Sequence, residues 1–109
     1  MAYDPVLAER IRAALADHAV VEKRVIGGLG FLLNGNMVCG IQRQNHLFVH
    51  VPESDMGTLL KRLGAKPFVM GAKTMRSWLL VEPASIKTAP TLKKWIDVGL
   101  AYVQTLPTK

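Results

Sequence analysis

Between Glu22 and Gly40 the chain reads Glu-Lys-Arg-Val-Ile-Gly-Gly-Leu-Gly-Phe-Leu-Leu-Asn-Gly-Asn-Met-Val-Cys-Gly, a stretch that leaves little choice of fold. Its five glycines and the turn signal Asn34-Gly35-Asn36 sit among two apolar runs, Leu29 to Leu33 and Met37 to Ile41. Asn and Gly tolerate positive φ, so the two runs predict a β-hairpin. Either Asn34-Gly35 or Gly35-Asn36 can supply the central pair, and both registers give the same faces. Leu29, Phe31 and Leu33 then share a face with Val38 and Gly40, while Leu32, Met37 and Cys39 share the other. Both faces are apolar, which requires a sheet covered on both sides, by helices or by a second subunit.

The flanking segments supply the rest of an α+β domain. Asp4-Pro5 is a helix start, with Asp as N-cap and Pro at the first helical position. Leu7, Ile11, Ala14, Leu15 and His18 follow at helical spacing. Val20 to Ile26 reads as a short strand, and Arg43-Gln44-Asn45 as a tight turn leading into a strand over His46 to Val51. There Leu47, Val49 and Val51 face one way and His46, Phe48 and His50 the other. A helix is expected from Pro52 to a Gly64 cap, with Met56, Leu59, Leu60 and Leu63 as its apolar stripe. Lys66 to Gly71 reads as irregular, with room for a short extended piece. Ser77 to Val81 predicts a final strand, with Trp78 and Leu80 opposite Leu79 and Val81. The last helix begins near Ala89-Pro90 and ends at Leu106-Pro107, and Gly99 on its apolar stripe permits close approach of another element. The order is αββββαβα: one domain over residues 1–109, three helices on a mainly antiparallel sheet of about five strands.

Composition narrows the function classes. Half of the 109 residues are apolar, and no apolar run is long enough to cross a membrane. No secretory leader is visible at the N-terminus, and the lone Cys39 agrees with a reducing compartment, so a cytoplasmic protein is expected. The net charge of +6 is uneven. From Gly57 to Ile96 eight basic residues stand against one acid, a local +7. Lys61, Arg62, Lys66, Lys73, Arg76, Lys93 and Lys94 are the candidate contacts for an acidic partner, either nucleic acid or a protein surface. A merely solubilising role weighs equally.

No chemistry emerges. His46 and His50 lie roughly 13 Å apart along a strand, too far to share one zinc, whose ligands sit at about 2 Å. Cys39 lies within an apolar strand, where a thiol is usually a core residue. Ser54, Ser77 and Ser85 lack a nucleophile-elbow context. The glycines at 27, 28 and 30 precede a strand and lack the Lys-Ser/Thr of a phosphate loop. Phe68, Trp78 and Trp95 are interleaved with the basic half and could stack on bases, but core packing is the simpler role for both tryptophans. No catalytic residue, metal or cofactor is therefore expected, and no enzyme. Surplus apolar surface points to a homodimer through His46, Phe48 and His50, unless the first and last helices pack on opposite sheet faces and leave a monomer.

Taken together, Glu22-Lys23-Arg24, Gly27-Gly28, Phe31, Asn34-Gly35-Asn36-Met37, Gly40, Lys66-Pro67-Phe68, Gly71, Met75, Trp78, Trp95 and Leu106-Pro107 resemble the N-terminal domain of the TfoX/Sxy regulators of bacterial competence. The likeness covers nearly the whole chain. Departures are Ala72-Lys73-Thr74-Met75 where Gly-Arg-Pro-Met is frequent, Ser77 for Gly and His50 for Arg. The resemblance implies a regulatory α+β domain that acts through macromolecular contacts and offers no catalytic residue. Full-length relatives resemble coactivators working with the cyclic-AMP receptor protein, and they carry a second, helical domain; the 109 residues correspond to the first. A regulatory module contacting a transcription factor is the expectation, with direct nucleic-acid binding as the alternative.

Overall fold

The first helix, α1 (Pro5–Ala14), begins as its sequence dictates: Asp4 Oδ1 accepts from Val6 N at 2.9 Å, and Pro5 fills the first turn. Its Leu7, Ala8 and Ile11 are buried. The computed structural model describes residues 3–25 and 27–109. Six strands follow: β1 (Val21–Val25), β2 (Gly28–Leu33), β3 (Asn36–Ile41), β4 (Leu47–His50), β5 (Ala65–Met70) and β6 (Lys73–Val81). Ile26, which the sequence assigns to the first strand, lies outside the described residues. The remaining helices are the single-turn α2 (Met56–Leu59) and the long α3 (Ala89–Val103).

All pairings are antiparallel, in the spatial order β1-β2-β3-β4-β6-β5. The α+β class holds, with one strand more than expected. Lys66 to Met70, read as irregular, belongs to the edge strand β5, where Pro67 can forgo a ladder hydrogen bond. Its partner β6 starts at Lys73, four residues before the sequence suggests.

The hairpin turn is Asn34-Gly35, since Leu33 pairs with Asn36, and φ is 54° at Asn34 and 80° at Gly35. Val38 is buried in the core with Phe31 as expected, but beyond it the expected faces are wrong. Leu32 pairs with Met37 but Phe31 pairs with Cys39, so Val38 is an extra residue on β3. That one-residue bulge flips every following side chain. Cys39 therefore joins Phe31 in the core and Gly40 lies opposite Gly30 on the other face.

The Pro52–Gly64 segment is likewise less helical than its pattern suggests. A 3₁₀ turn over Glu53–Asp55 leads into α2, after which Lys61 N and Arg62 N donate to carbonyls three residues back. Leu63 falls in the turn that redirects the chain into β5, and it is 87% exposed instead of buried.

One face of the sheet carries the core. Leu29, Phe31, Cys39, Ile41, Leu47, Val49, Leu79 and Val81 meet Leu7, Ile11 and Leu15 from the α1 side and Leu92, Trp95, Ile96 and Val103 from α3. Gly99 lets α3 approach the bulge: a Cβ there would stand 2.5 Å from the Val38 carbonyl oxygen. Both long helices thus lie on the same face, not on opposite faces. After α3 the chain folds back over the hairpin. The buried Asn36 donates Nδ2–H to the Pro107 carbonyl at 2.9 Å, and Lys109 N donates to Asn34 O at 2.9 Å. No helix among the described residues is long and apolar enough to cross a membrane.

Candidate functional site

The helix-free face is built from the alternate residues of the same strands. Register places Lys23 and Val25 of β1, Gly30 and Leu32 of β2, Met37 and Gly40 of β3, Phe48 and His50 of β4, and Trp78 and Leu80 of β6 on it. The Gly30–Gly40 pair leaves a hollow in its middle. A Cβ at Gly40 would lie 2.2 Å from Phe48 Cζ, and one at Gly30 would lie 2.8 Å from Met37 Cε. The Phe48 ring and the Met37 thioether therefore lie down on bare backbone.

Phe48 anchors an aromatic cluster. Its ring centroid is 5.9 Å from Phe68 and 5.7 Å from Trp78, in tilted contacts of the kind aromatic quadrupoles favour. His50 stacks on Trp78 at 4.2 Å with its plane only 3° away, and Tyr102 of α3 meets His50 edge-on at 4.9 Å. His50 Nδ1 lies 3.0 Å from the Met37 carbonyl. A carbonyl can only accept, so the imidazole proton sits on Nδ1. Burial pulls the His50 pKa below its ordinary value; the Met37 bond opposes this and the Lys109 charge adds to it.

The β5–β6 hairpin closes the far side. Its pairing jumps from Pro67–Leu79 to Phe68–Met75, so Arg76, Ser77 and Trp78 have no partner on β5 and β6 bends there. The bent tip brings Val69, Met70, Gly71 and Met75 towards Phe48 and Val25. Between them lies a groove of about 690 Å³. Val69 and Met70 on its wall remain 51% and 53% exposed. Among the described residues, Gln42 and the Trp78 indole supply its only polar side-chain groups, and no carboxylate lines it. Lys23 and Lys73, in register with the groove-facing Gly30 and Met70, stand at its two sides. Among the described residues neither has an ion-pair partner.

The seven basic candidates do not gather on one patch. Lys66 faces Glu82 at 3.8 Å, Arg76 faces Glu53 at 3.8 Å and Lys93 bonds Asp97 at 3.2 Å. Arg62 lies over the Trp95 ring, 5.3 Å from its centroid, and shares with Lys94 a second hollow of about 760 Å³ between α3 and the turn after α2. Lys61 is exposed near that corner, and Lys73 is at the hairpin tip. Trp95 is buried, as core packing requires, whereas Trp78 is half-buried in the groove wall. His46 precedes β4, and no three His, Cys, Asp or Glu side chains converge among the described residues. Cys39 is fully buried, and burial pushes its thiol up to about 12. Sequence reasoning missed the groove itself. Its one visible signal was the unexplained apolar character of both hairpin faces.

A six-stranded antiparallel sheet, helix-covered on one face and hollowed into an apolar groove on the other, defines an α+β domain with one open face. The family model of the TfoX N-terminal domain matches residues 13–102, from within α1 almost to the end of α3, and the chain belongs to that family. No curated protein and no solved structure matches it.

Proposed function

We propose that this domain is a cytoplasmic, non-enzymatic interaction module that acts in transcriptional regulation by docking a protein partner on the helix-free face. The observation that carries the reading is the groove. It leaves large apolar side chains partly exposed in one place, and contiguous apolar surface of this kind marks interaction sites. Met37, Phe68, Gly71, Met75 and Trp78, five of the residues that carry the family likeness, line it. The resemblance to the TfoX/Sxy regulators, within the family whose model matches residues 13–102, supports a transcriptional context. Immobilised protein incubated with bacterial lysate, with and without nuclease, tests the reading. The expected result is nuclease-resistant capture of a transcription factor, lost in Met75→Glu. Retention of that partner by Met75→Glu would remove the groove from the reading, and a partner outside transcription would remove the regulatory role.

A second reading is direct nucleic-acid binding, favoured by the meeting of Arg62 and Lys94 in the hollow beside α3. Duplex DNA binding would then weaken by roughly a decade or more over a fourfold rise in salt. It would vanish on charge reversal at Lys61, Arg62, Lys93 and Lys94, with melting still cooperative. Nuclease-sensitive capture in the lysate experiment would favour this reading over the first.

A further inference from the structure

We infer that the occupant of the helix-free groove is an acidic amphipathic segment of a partner protein, seated by its apolar side with its carboxylates reaching Lys23 and Lys73. This rests on the groove being a docking site and names the chemistry of what docks. Three features argue for it.

The lining selects an apolar anchor. Met37, Met70 and Met75 with Phe48, Phe68 and Trp78 make a polarisable surface that adapts to varied side chains, as methionine-rich grooves do. The volume of about 690 Å³ falls within the roughly 300–1,000 Å³ of small-ligand sites, but Val69 and Met70 leave the wall exposed. A small molecule would leave that wall wet. A chain segment laid along the groove covers it, in the way an amphipathic helix fills a groove with successive anchors.

The rim selects negative charge. Val25 and Met70 mark the two sides of the groove, and Lys23 and Lys73 stand beside them without ion-pair partners among the described residues. The carboxylates that could compensate are engaged elsewhere: Glu22 with Arg12 on the helix-covered side, Glu53 with Arg76 and Glu82 with Lys66. Complementary charge at a rim sets orientation and partner choice.

The same rim disfavours other occupants. A second copy meeting this face across a two-fold axis would bring the same patch, so the two lysine rims of molecules that each carry a net +6 would face each other. A single-stranded nucleic acid needs flat aromatic platforms. Here Phe48 is buried and tilted 50° to Phe68 and 59° to Trp78, and His50 already covers one face of Trp78.

The test uses two fluorescent amphipathic peptides with the same Leu/Phe face, one carrying Glu and one Lys at all other positions. Binding is followed by anisotropy and by the methyl NMR signals of Met37 and Met75. The Glu peptide should bind at least about tenfold tighter than the Lys peptide, shift both methyl signals, and weaken as salt rises. Lys23→Glu with Lys73→Glu should reverse the preference while the melting curve is kept. Equal affinity for the two peptides overturns the acidic assignment and leaves the docking face standing. Absence of methyl shifts with either peptide overturns the docking face as well. Shifts caused by a single-stranded oligonucleotide more strongly than by the Glu peptide, or by concentrating the protein alone, overturn the inference in favour of nucleic acid or of a second copy.

Discussion

Gly35 shows how one residue holds two parts of the chain. Its φ of 80° completes the Asn34-Gly35 turn, and a Cβ there would stand 2.9 Å from the Lys109 Cβ and carbonyl oxygen. Gly35→Val therefore meets backbone strain and the returning C-terminal segment together, and should destabilise by about 1–3 kcal/mol. Thermal or urea melts measure this directly, and an unchanged midpoint would refute the turn. His50 makes a second residue-scale prediction. Burial against Trp78 and Tyr102 holds its folded-state pKa below the ordinary 6.5, and the opposing bond to the Met37 carbonyl does not reverse this. The unfolded chain then binds the proton more readily than the folded one. Stability from this site is complete above about pH 6.5 and declines as pH falls through the folded value. Melting temperature should drop between neutral and mildly acidic pH, and His50→Gln should flatten that slope. The Glu22 carboxylate, held low by its bonds to Arg12, loses its contribution only at more acidic pH.

At the scale of elements, α3 and the β2–β3 hairpin are fitted to each other at one point. The bulge at Val38 pushes backbone towards α3, and Gly99 is the position on α3 that accepts it. Gly99→Val should force α3 away from the Val38 carbonyl and from Val49, destabilising by about 1–3 kcal/mol as overpacking does. Hydrogen exchange should show α3 and β3 losing protection together; loss confined to α3 would mean the contact is not shared. By contrast, the exposed Arg12–Glu22 pair ties α1 to β1 only weakly, and the Arg12–Glu9 pair lies within α1 itself.

For the whole molecule, the decisive fact is that α1 and α3 share one sheet face. Two long helices make one good core and leave the second face to its own aromatic cluster. With Lys23 and Lys73 at its rim, that face should not self-associate at low ionic strength. Sedimentation in low salt should give one species of the 12.0 kDa chain mass at micromolar concentration. A dimer whose formation is abolished by Met75→Glu would show that the face pairs with itself.

Local signals settled much of this protein. Asp4-Pro5 placed a helix start, Asn34-Gly35 a turn and Pro52 the end of a strand, because capping, positive φ and a missing N–H act within a few residues. Alternation in Leu47 to His50 and Ser77 to Val81 gave their faces correctly for the same reason. Three things were not local. The bulge at Val38 depends on what α3 presents, so the faces beyond Val38 could not be read from the hairpin alone. Lys66 to Met70 became a strand only because β6 was there to pair with it. The groove required both helices to choose the same face, a competition between two apolar surfaces that periodicity cannot rank. Sequence determined the elements through short-range stereochemistry. Tertiary packing decided which surface was buried and which was left open, because burial depends on partners distant in the chain.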